Sequence, residues 1–329
     1  MHILIIGAAG MVGRKLTARL AADGTLGGTG ITALTLVDVV APVPPAGLAI
    51  PCTCTALDIS DPAAAAQMVA QRPAVIFHLA AIVSGEAEVE FDKGYAINLD
   101  ATRHLFEAIR SLHEQDGYTP RVVFTSSIAV FGAPFPEKID DSFFTTPRTS
   151  YGTQKAMCEL LLSDFSRKGM FDGIALRLPT VCIRPGTPNK AASGFFSNIL
   201  REPLVGREAV LPVSEDVRHW HASPRSAVGF LLHAATLDLA PLGARRALTM
   251  PGLSATVGEQ IEALRRVAGD KAVALIRREP DPAILEIVSG WPRDFDAARA
   301  EGLGFTAETS FDEIIRIHIE DELGGRLGA

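Results

Sequence analysis

Two side chains able to move a proton stand one helical turn apart in the segment Tyr151-Gly152-Thr153-Gln154-Lys155. Residues at that spacing share a helix face. A free phenol has a pKa near 10 and is a poor base at neutral pH. An ammonium beside it favours the phenolate, so the pair predicts a tyrosine acting as general acid or base. Upstream, Ser127 follows the strand-like run Val122-Val123-Phe124-Thr125. A hydroxyl at a strand end can hold a substrate oxygen beside the tyrosine. Its neighbour Ser126 remains an alternative for that task.

A second pattern would hold a cofactor. Gly7-Ala8-Ala9-Gly10-Met11-Val12-Gly13 lies between a strand-like run and a helical one. In such a turn the first glycine allows a tight bend. The second lets the backbone approach a diphosphate at the helix N-terminus, and the third lets helix and strand pack closely. Asp38 follows the second apolar run, where a carboxylate accepts ribose hydroxyls and repels a 2′-phosphate. That favours NAD over NADP. Asp58 and Ile59 fall where they could face the adenine. An oxidised nicotinamide would add positive charge to that of Lys155, which can also bond the nicotinamide ribose.

The elements that must position these groups alternate along the first half. Strands are expected over 2–6, 31–37, 74–79, 121–125 and 173–178, and helices over 11–22, 61–71, 95–112 and 151–165. Such alternation implies an α/β fold with a parallel sheet covered on both faces. The pattern loosens after residue 180, where Pro185, Gly186, Pro188, Gly194, Pro203 and Pro212 interrupt it. Helices return over 226–236, 257–268 and 311–320. The expected division is a cofactor-binding domain over 1–180, with some later segments returning to it, and a substrate lobe mainly over 181–329. The tail from Gly324 is expected to fray.

The set Gly7, Gly10, Gly13, His78-Leu79-Ala80-Ala81, Asn98, Thr125-Ser126-Ser127 and Tyr151…Lys155 resembles the extended short-chain dehydrogenase/reductase, or NAD-dependent epimerase/dehydratase, family. The resemblance covers essentially the whole chain. It implies a Rossmann-type, doubly wound parallel sheet with a smaller C-terminal substrate-binding lobe. It implies Tyr151 as acid/base, Lys155 lowering its pKa and Ser127 orienting substrate. It implies NAD contacts at Met11, Val12, Leu79, Ala80, Ala81, Asn98, Ser126, Pro179 and Val181. It also implies a homodimer paired through the helices 95–112 and 151–165. The residues alone say only that one face of each helix is buried.

Within the family, segments 1–16, 125–132, 177–185 and 216–225 resemble members that oxidise a four-carbon sugar acid at C2. Sugar-nucleotide dehydratases carry an Asp–Glu pair where this chain has Ser126-Ser127. Sugar-nucleotide epimerases commonly have an acid following an arginine near Arg218, where this chain has His219. A nucleotide-sugar epimerase or reductase using the same three catalytic residues remains the alternative.

A sugar acid needs a cation, and arginine can take a carboxylate bidentately. Arg184, Arg218 and Arg225 are the candidates, with Ser84, Asn189 and Ser193 as lesser ones. Each arginine alone reads as readily as an ion-pair residue. His219 and His221 could form half a metal site, but no third ligand is visible; polar packing is the expectation, and no metal. His78 is expected to make structural hydrogen bonds, and Trp220 to pack.

The chain has 329 residues, with 31 Lys+Arg, 38 Asp+Glu and a net charge of -7. That balance speaks against a nucleic-acid partner. It leaves a small anionic substrate open, because a pocket needs only local cations. No apolar stretch is long enough for a membrane span. The opening His2–Gly7 has no basic segment before it, so no leader is expected. Cys52, Cys54, Cys158 and Cys182 fit neither a disulfide scaffold nor a zinc site. A reduced cytoplasm is the expected setting.

Overall fold

The computed structural model describes residues 1–186 and 192–327. The candidate Asn189 and the last two residues of the tail lie outside them. The chain forms two compact units. The first comprises Met1–Val130, Thr149–Arg177 and Val228–Leu248, and the second Phe131–Arg148, Leu178–Ala227 and Thr249–Ala329. The path therefore crosses between units several times: Val228–Leu248 returns to the first unit, and Phe131–Arg148, ahead of residue 180, belongs to the second.

The first unit is built on β1 (His2–Ile6), α1 (Met11–Asp23), β2 (Ala33–Asp38), β3 (Cys52–Ala56), α2 (Pro62–Val69) and β4 (Val75–His78). It continues through α3 (Ala101–Asp116), β5 (Arg121–Ser127), α4 (Ser150–Arg167) and β6 (Asp172–Leu178). The sheet has seven strands in the order Ala247–Thr249, β6, β5, β4, β1, β2, β3. Strand β1 pairs in parallel with β2 and β4, and β4 in parallel with β5. Strand order reverses at β1, so a crevice opens beyond the carboxyl ends of β1 and β4, as in other doubly wound, Rossmann-type sheets.

Alternate residues of a strand face opposite sides of a sheet. Leu4 and Ile6 face one side of β1, Ile3 and Ile5 the other, and all four are fully buried. A strand covered on both faces reads as an unbroken apolar run. On one side, Leu105, Phe106 and Ile109 of α3, Met68 and Val69 of α2 and Leu162 of α4 form one core with Leu4 and Phe124.

Three local features depart from the sequence reading. Strand β3 was not foreseen; its Cys-Thr-Cys-Thr-Ala run sits at the sheet edge, half-buried, and carries no apolar stripe. The expected helix 95–112 is two elements, a π-helical turn Tyr95–Asp100 and then α3. A small hairpin, Thr25–Leu26 with Thr29–Gly30, precedes β2.

The second unit is built on β7 (Thr180–Val181), α5 (Gly194–Leu204), β8 (Arg218–Ala222), β9 (Leu253–Thr256), α6 (Val257–Ala268) and α7 (Phe311–Glu322). Strand β8 pairs antiparallel with β9 and parallel with β7. Helices α5, α6 and α7 share an apolar core of Phe195, Phe196, Ile199, Ile261, Leu264, Ile314 and Ile315. Among the described residues, no helix is long and apolar enough to cross a membrane.

Candidate active site

The glycine turn lies at the reversal point of the sheet. Gly7 has φ +91°, a conformation that a side chain disfavours. A Cβ on it would stand 2.6 Å from the backbone nitrogen of Ala80, so β1 and the segment after β4 touch there through bare backbone. A Cβ on Gly13 would stand 2.8 Å from Cα of Ala8 and collide with the Gly7 carbonyl. Gly10 differs: it is exposed, and a Cβ there meets only the Gly7 oxygen, at 3.3 Å. It caps α1 without a side-chain hydrogen bond, and no acid stands in the first turn. The first N–H groups of α1 thus keep capacity for an anion. Met11 and Val12 follow, half-buried. This bare backbone cradle fits a dinucleotide diphosphate.

Asp38 ends β2 against the same turn. Its carboxylate accepts from the backbone N–H of Ala9 at 2.9 Å and of Val39 at 2.7 Å. Asp58 is exposed and accepts from both the N–H and the hydroxyl of Ser60, which hold it below the usual carboxylate range. Ile59 beside it is buried in the core. Leu79, Ala80 and Ala81 leave β4 half-buried.

The side chains of Asn98 and Ser126 are engaged within the protein. The Asn98 oxygen accepts from the Ile82 N–H at 2.9 Å, and its amide donates to the Ile82 carbonyl and to Gln154. The side chain thus holds the segment after β4, just before Ser84 opens a short helix, Ser84–Val89. The hydroxyl of Ser126 is buried and donates to Glu159 at 2.5 Å.

Helix α4 carries the proton-moving pair. Thr149 caps it, accepting from the N–H of Gly152 at 3.1 Å, which places Tyr151 in the first turn. The Ser127 hydroxyl faces the Tyr151 phenol and favours its ionised form. Lys155 is buried; its ammonium donates to the Thr125 carbonyl at 2.8 Å and lies 5.7 Å from the Tyr151 ring centre. Of the two serines, Ser127 is therefore the one that meets the tyrosine.

The charge balance differs from the sequence argument. Burial pushes the Tyr151 phenol up to about 12, with the nearby Ser127 hydroxyl pulling the other way. Burial brings Lys155 down to about 8. Desolvation outweighs the pull expected of the ammonium on the phenol.

Sequence reasoning missed the groups beneath this pair. Arg177 of β6 grips Glu159 of α4 through Nε and Nη2, at 2.8–3.2 Å, with both side chains buried. An arginine inside the apolar run Ile174-Ala175-Leu176-Arg177-Leu178 was the available signal, since a buried charge requires a partner.

His78 bonds Thr102 at 2.9 Å, and burial brings its ring down to about 3. It is a neutral, structural group.

In the second unit, Arg184 donates to the carbonyl and hydroxyl of Ser193, so these two candidates come together. Arg218 is bound to the Ser254 carbonyl and ion-paired with Glu259. Arg225 is exposed and spends its guanidinium on Glu320 and Asp321. Two carboxylates already neutralise it, so it is a poor receiver for a third. Pro179 is buried, and Val181 in β7 pairs with Ala222 of β8. His219 lies between the Thr180 hydroxyl and the Pro292 carbonyl, and His221 meets Gln260. The Trp220 indole donates to the Met250 carbonyl. No group of three metal-ligating side chains occurs among the described residues.

A dinucleotide cradle at the reversal point of a doubly wound sheet, followed by a Ser–Tyr–Lys cluster, defines a nicotinamide-dependent enzyme. Comparison with known proteins narrows the class. The model of the NAD dependent epimerase/dehydratase family matches residues 3–222. D-erythronate dehydrogenase of Cupriavidus necator is 46% identical over 327 residues, covering 98% of each chain. D-erythronate dehydrogenase of Haemophilus influenzae is 42% identical, over 98% of this chain and 100% of the other. A solved structure described as the nucleoside-diphosphate-sugar epimerase from Agrobacterium tumefaciens superposes with a TM-score of 0.97 at 69% identity, over 99% of this chain and 95% of that one. The chain belongs to the NAD-dependent epimerase/dehydratase family. It is an enzyme, and its cofactor is NAD.

Proposed function

We propose that the protein oxidises D-erythronate at C2 to 2-dehydro-D-erythronate. The chemistry rests on one observation: Tyr151 stands at the head of the helix that carries Lys155, whose ammonium lies 5.7 Å from the Tyr151 ring centre. The substrate rests on the names of two relatives that share the chain's full length.

NAD would be held by Gly7, Gly10 and Gly13, by the first turn of α1, by Asp38 and by the backbone of Leu79, Ala80 and Ala81. When bound in oxidised form it supplies the hydride acceptor and a positive charge. Ser127 and Tyr151 hydrogen-bond the C2 hydroxyl. Tyr151, as phenolate, takes the hydroxyl proton while the C2–H electron pair leaves and the C2–O bond becomes a carbonyl. Lys155 faces that phenolate and opposes its charge. Arg184, with Ser193 against it, receives the substrate carboxylate. We assign the first unit to cofactor binding and the second mainly to substrate. We further take the protein to be a cytoplasmic homodimer paired through α3 and α4, where Leu160 stands exposed.

The alternative is epimerisation or reduction of a nucleotide-linked sugar by the same three residues, favoured by the name of the Agrobacterium structure. Absorbance of NADH separates the two. Net formation from free D-erythronate with NAD, and none from UDP-sugars, supports the dehydrogenase. Transient reduction with a UDP-sugar and no response to any C3–C6 sugar acid would overturn it.

A further inference from the structure

Glu159 lies one turn beyond Lys155 on α4, so Tyr151, Lys155 and Glu159 follow one line down the helix. Its carboxylate is buried and triply held, by two nitrogens of Arg177 and by the Ser126 hydroxyl. Ser126 immediately precedes Ser127, so this bond ties the end of β5 to α4 one residue from the Tyr151 contact. We propose that Glu159 is a positioning residue of the reaction, its carboxylate registering the Ser126-Ser127 turn on α4 and supplying the counter-charge to Lys155. The proposal rests on the reading of Tyr151 and Lys155 as the proton-moving pair.

The surroundings of Lys155 show why a counter-charge is needed. Its ammonium has one carbonyl partner, Thr125, and otherwise lies 4.6 Å over the Phe124 ring. Burial brings it down to about 8, opposed by Cys158 and Glu159. The titratable groups facing it are Tyr151, Cys158 and Glu159 on α4 and His78 on β4. Burial holds the Cys158 thiol up at about 11 and His78 down at about 3, so both are neutral at neutral pH. The Tyr151 phenol is likewise protonated. The Glu159 carboxylate, ion-paired with Arg177, is the acidic group left among them. A buried lysine without it loses its proton at lower pH.

The test is the pH profile of kcat in the NAD-loaded enzyme, from pH 6 to 10.5, for the parent and four variants. In Glu159→Gln the alkaline limb should move down by about one pH unit, so that kcat at pH 8.5 falls about tenfold and less at pH 6.5. KM for NAD should change less than twofold. Glu159→Met combined with Arg177→Met replaces the pair by apolar packing, which buried ion pairs often tolerate. It should move the limb the same way but by less, because the Arg177 charge leaves with the carboxylate, and it reads the shift even where Glu159→Gln folds poorly. Ser126→Ala removes one clamp and keeps the charge, so kcat should fall a few-fold with the limb in place. An alkaline limb that stays put in both Glu159 variants, or a parent with no alkaline limb below pH 10, overturns the proposal. Lys155→Met isolates the underlying reading: full turnover in that variant sinks the Tyr151–Lys155 assignment itself, whatever Glu159 does.

Discussion

Replacing each of two glycines by alanine separates packing from cofactor binding. In Gly13→Ala the new methyl meets only backbone, the Gly7 carbonyl and Ala8, so no side chain can swing away. Overpacking of that kind costs roughly 1–3 kcal/mol, offset by about 1 kcal/mol of helix propensity, for a net loss of up to about 2 kcal/mol. The same displacement spreads the turn and weakens NAD. In Gly10→Ala the methyl points outward with a single contact at 3.3 Å, and the residue's φ of -66° suits alanine. Its stability cost stays below about 1 kcal/mol, that of an alanine cap. Yet the methyl stands where the diphosphate must reach the first N–H groups of α1. Losing one or two charge-assisted hydrogen bonds costs about 2–3 kcal/mol, or roughly 30- to 150-fold in Kd. Urea unfolding and calorimetric titration of NAD read the two quantities separately. A Gly10→Ala protein that binds NAD like the parent would refute the placement of the diphosphate at this turn.

Further outcomes follow from the same geometry. Tyr151→Phe should lower kcat by about 10²–10⁴-fold with an unchanged melting temperature, and Ser127→Ala roughly 10- to 100-fold, the value of a charge-assisted bond; a rate assay beside a thermal melt checks both. Arg184→Gln should raise KM for the sugar acid at least tenfold while Arg225→Gln, already paired at the surface, changes it less than twofold; steady-state kinetics on D-erythronate decides. Burial holds His78 at about 3 and His219 at about 4, below the unfolded value near 6.5. The folded state therefore stays unprotonated there while the unfolded chain takes up protons, so stability is level above about pH 6.5 and falls below it. The loss at pH 5 is about 2 kcal/mol for each histidine. Urea midpoints that stay flat from pH 7 to 5 would contradict this.

The parts of the fold legible in the sequence were those where one local rule suffices. The run His2–Ile6 is apolar throughout because β1 is covered on both faces. Helix α6 announces itself through the Thr256–Glu259 capping box and an apolar stripe. The glycine turn and the Tyr151–Lys155 spacing are equally local. What escaped notice depends on partners distant in sequence or on patterns that a polar burial hides. Strand β3 alternates cysteine and threonine at a half-buried edge. Helix α5 is masked by Gly194 at its start and Pro203 near its end. The π-helical turn at Tyr95–Asp100 leaves no distinct periodicity, though it is where Asn98 bonds the backbone of Ile82. The buried face of α4 carries Gln154, Lys155 and Glu159 beside Ala156, Cys158 and Leu162, so its polar members break the hydrophobic pattern. Arg225 follows the ion-pair reading that each arginine carried in the sequence: its two carboxylate partners lie about 95 residues away on α7, out of reach of any local pattern.

The central claim, that a hydride leaves C2 of a free sugar acid for good, is tested most directly by isotope. D-Erythronate carrying deuterium at C2 is incubated with NAD and the enzyme, and the nicotinamide product is weighed by mass spectrometry. One deuterium per NADH, with an equal amount of 2-oxo acid, is the expected result. Deuterium that stays with the sugar acid, or NADH formed without it, would contradict oxidation at C2.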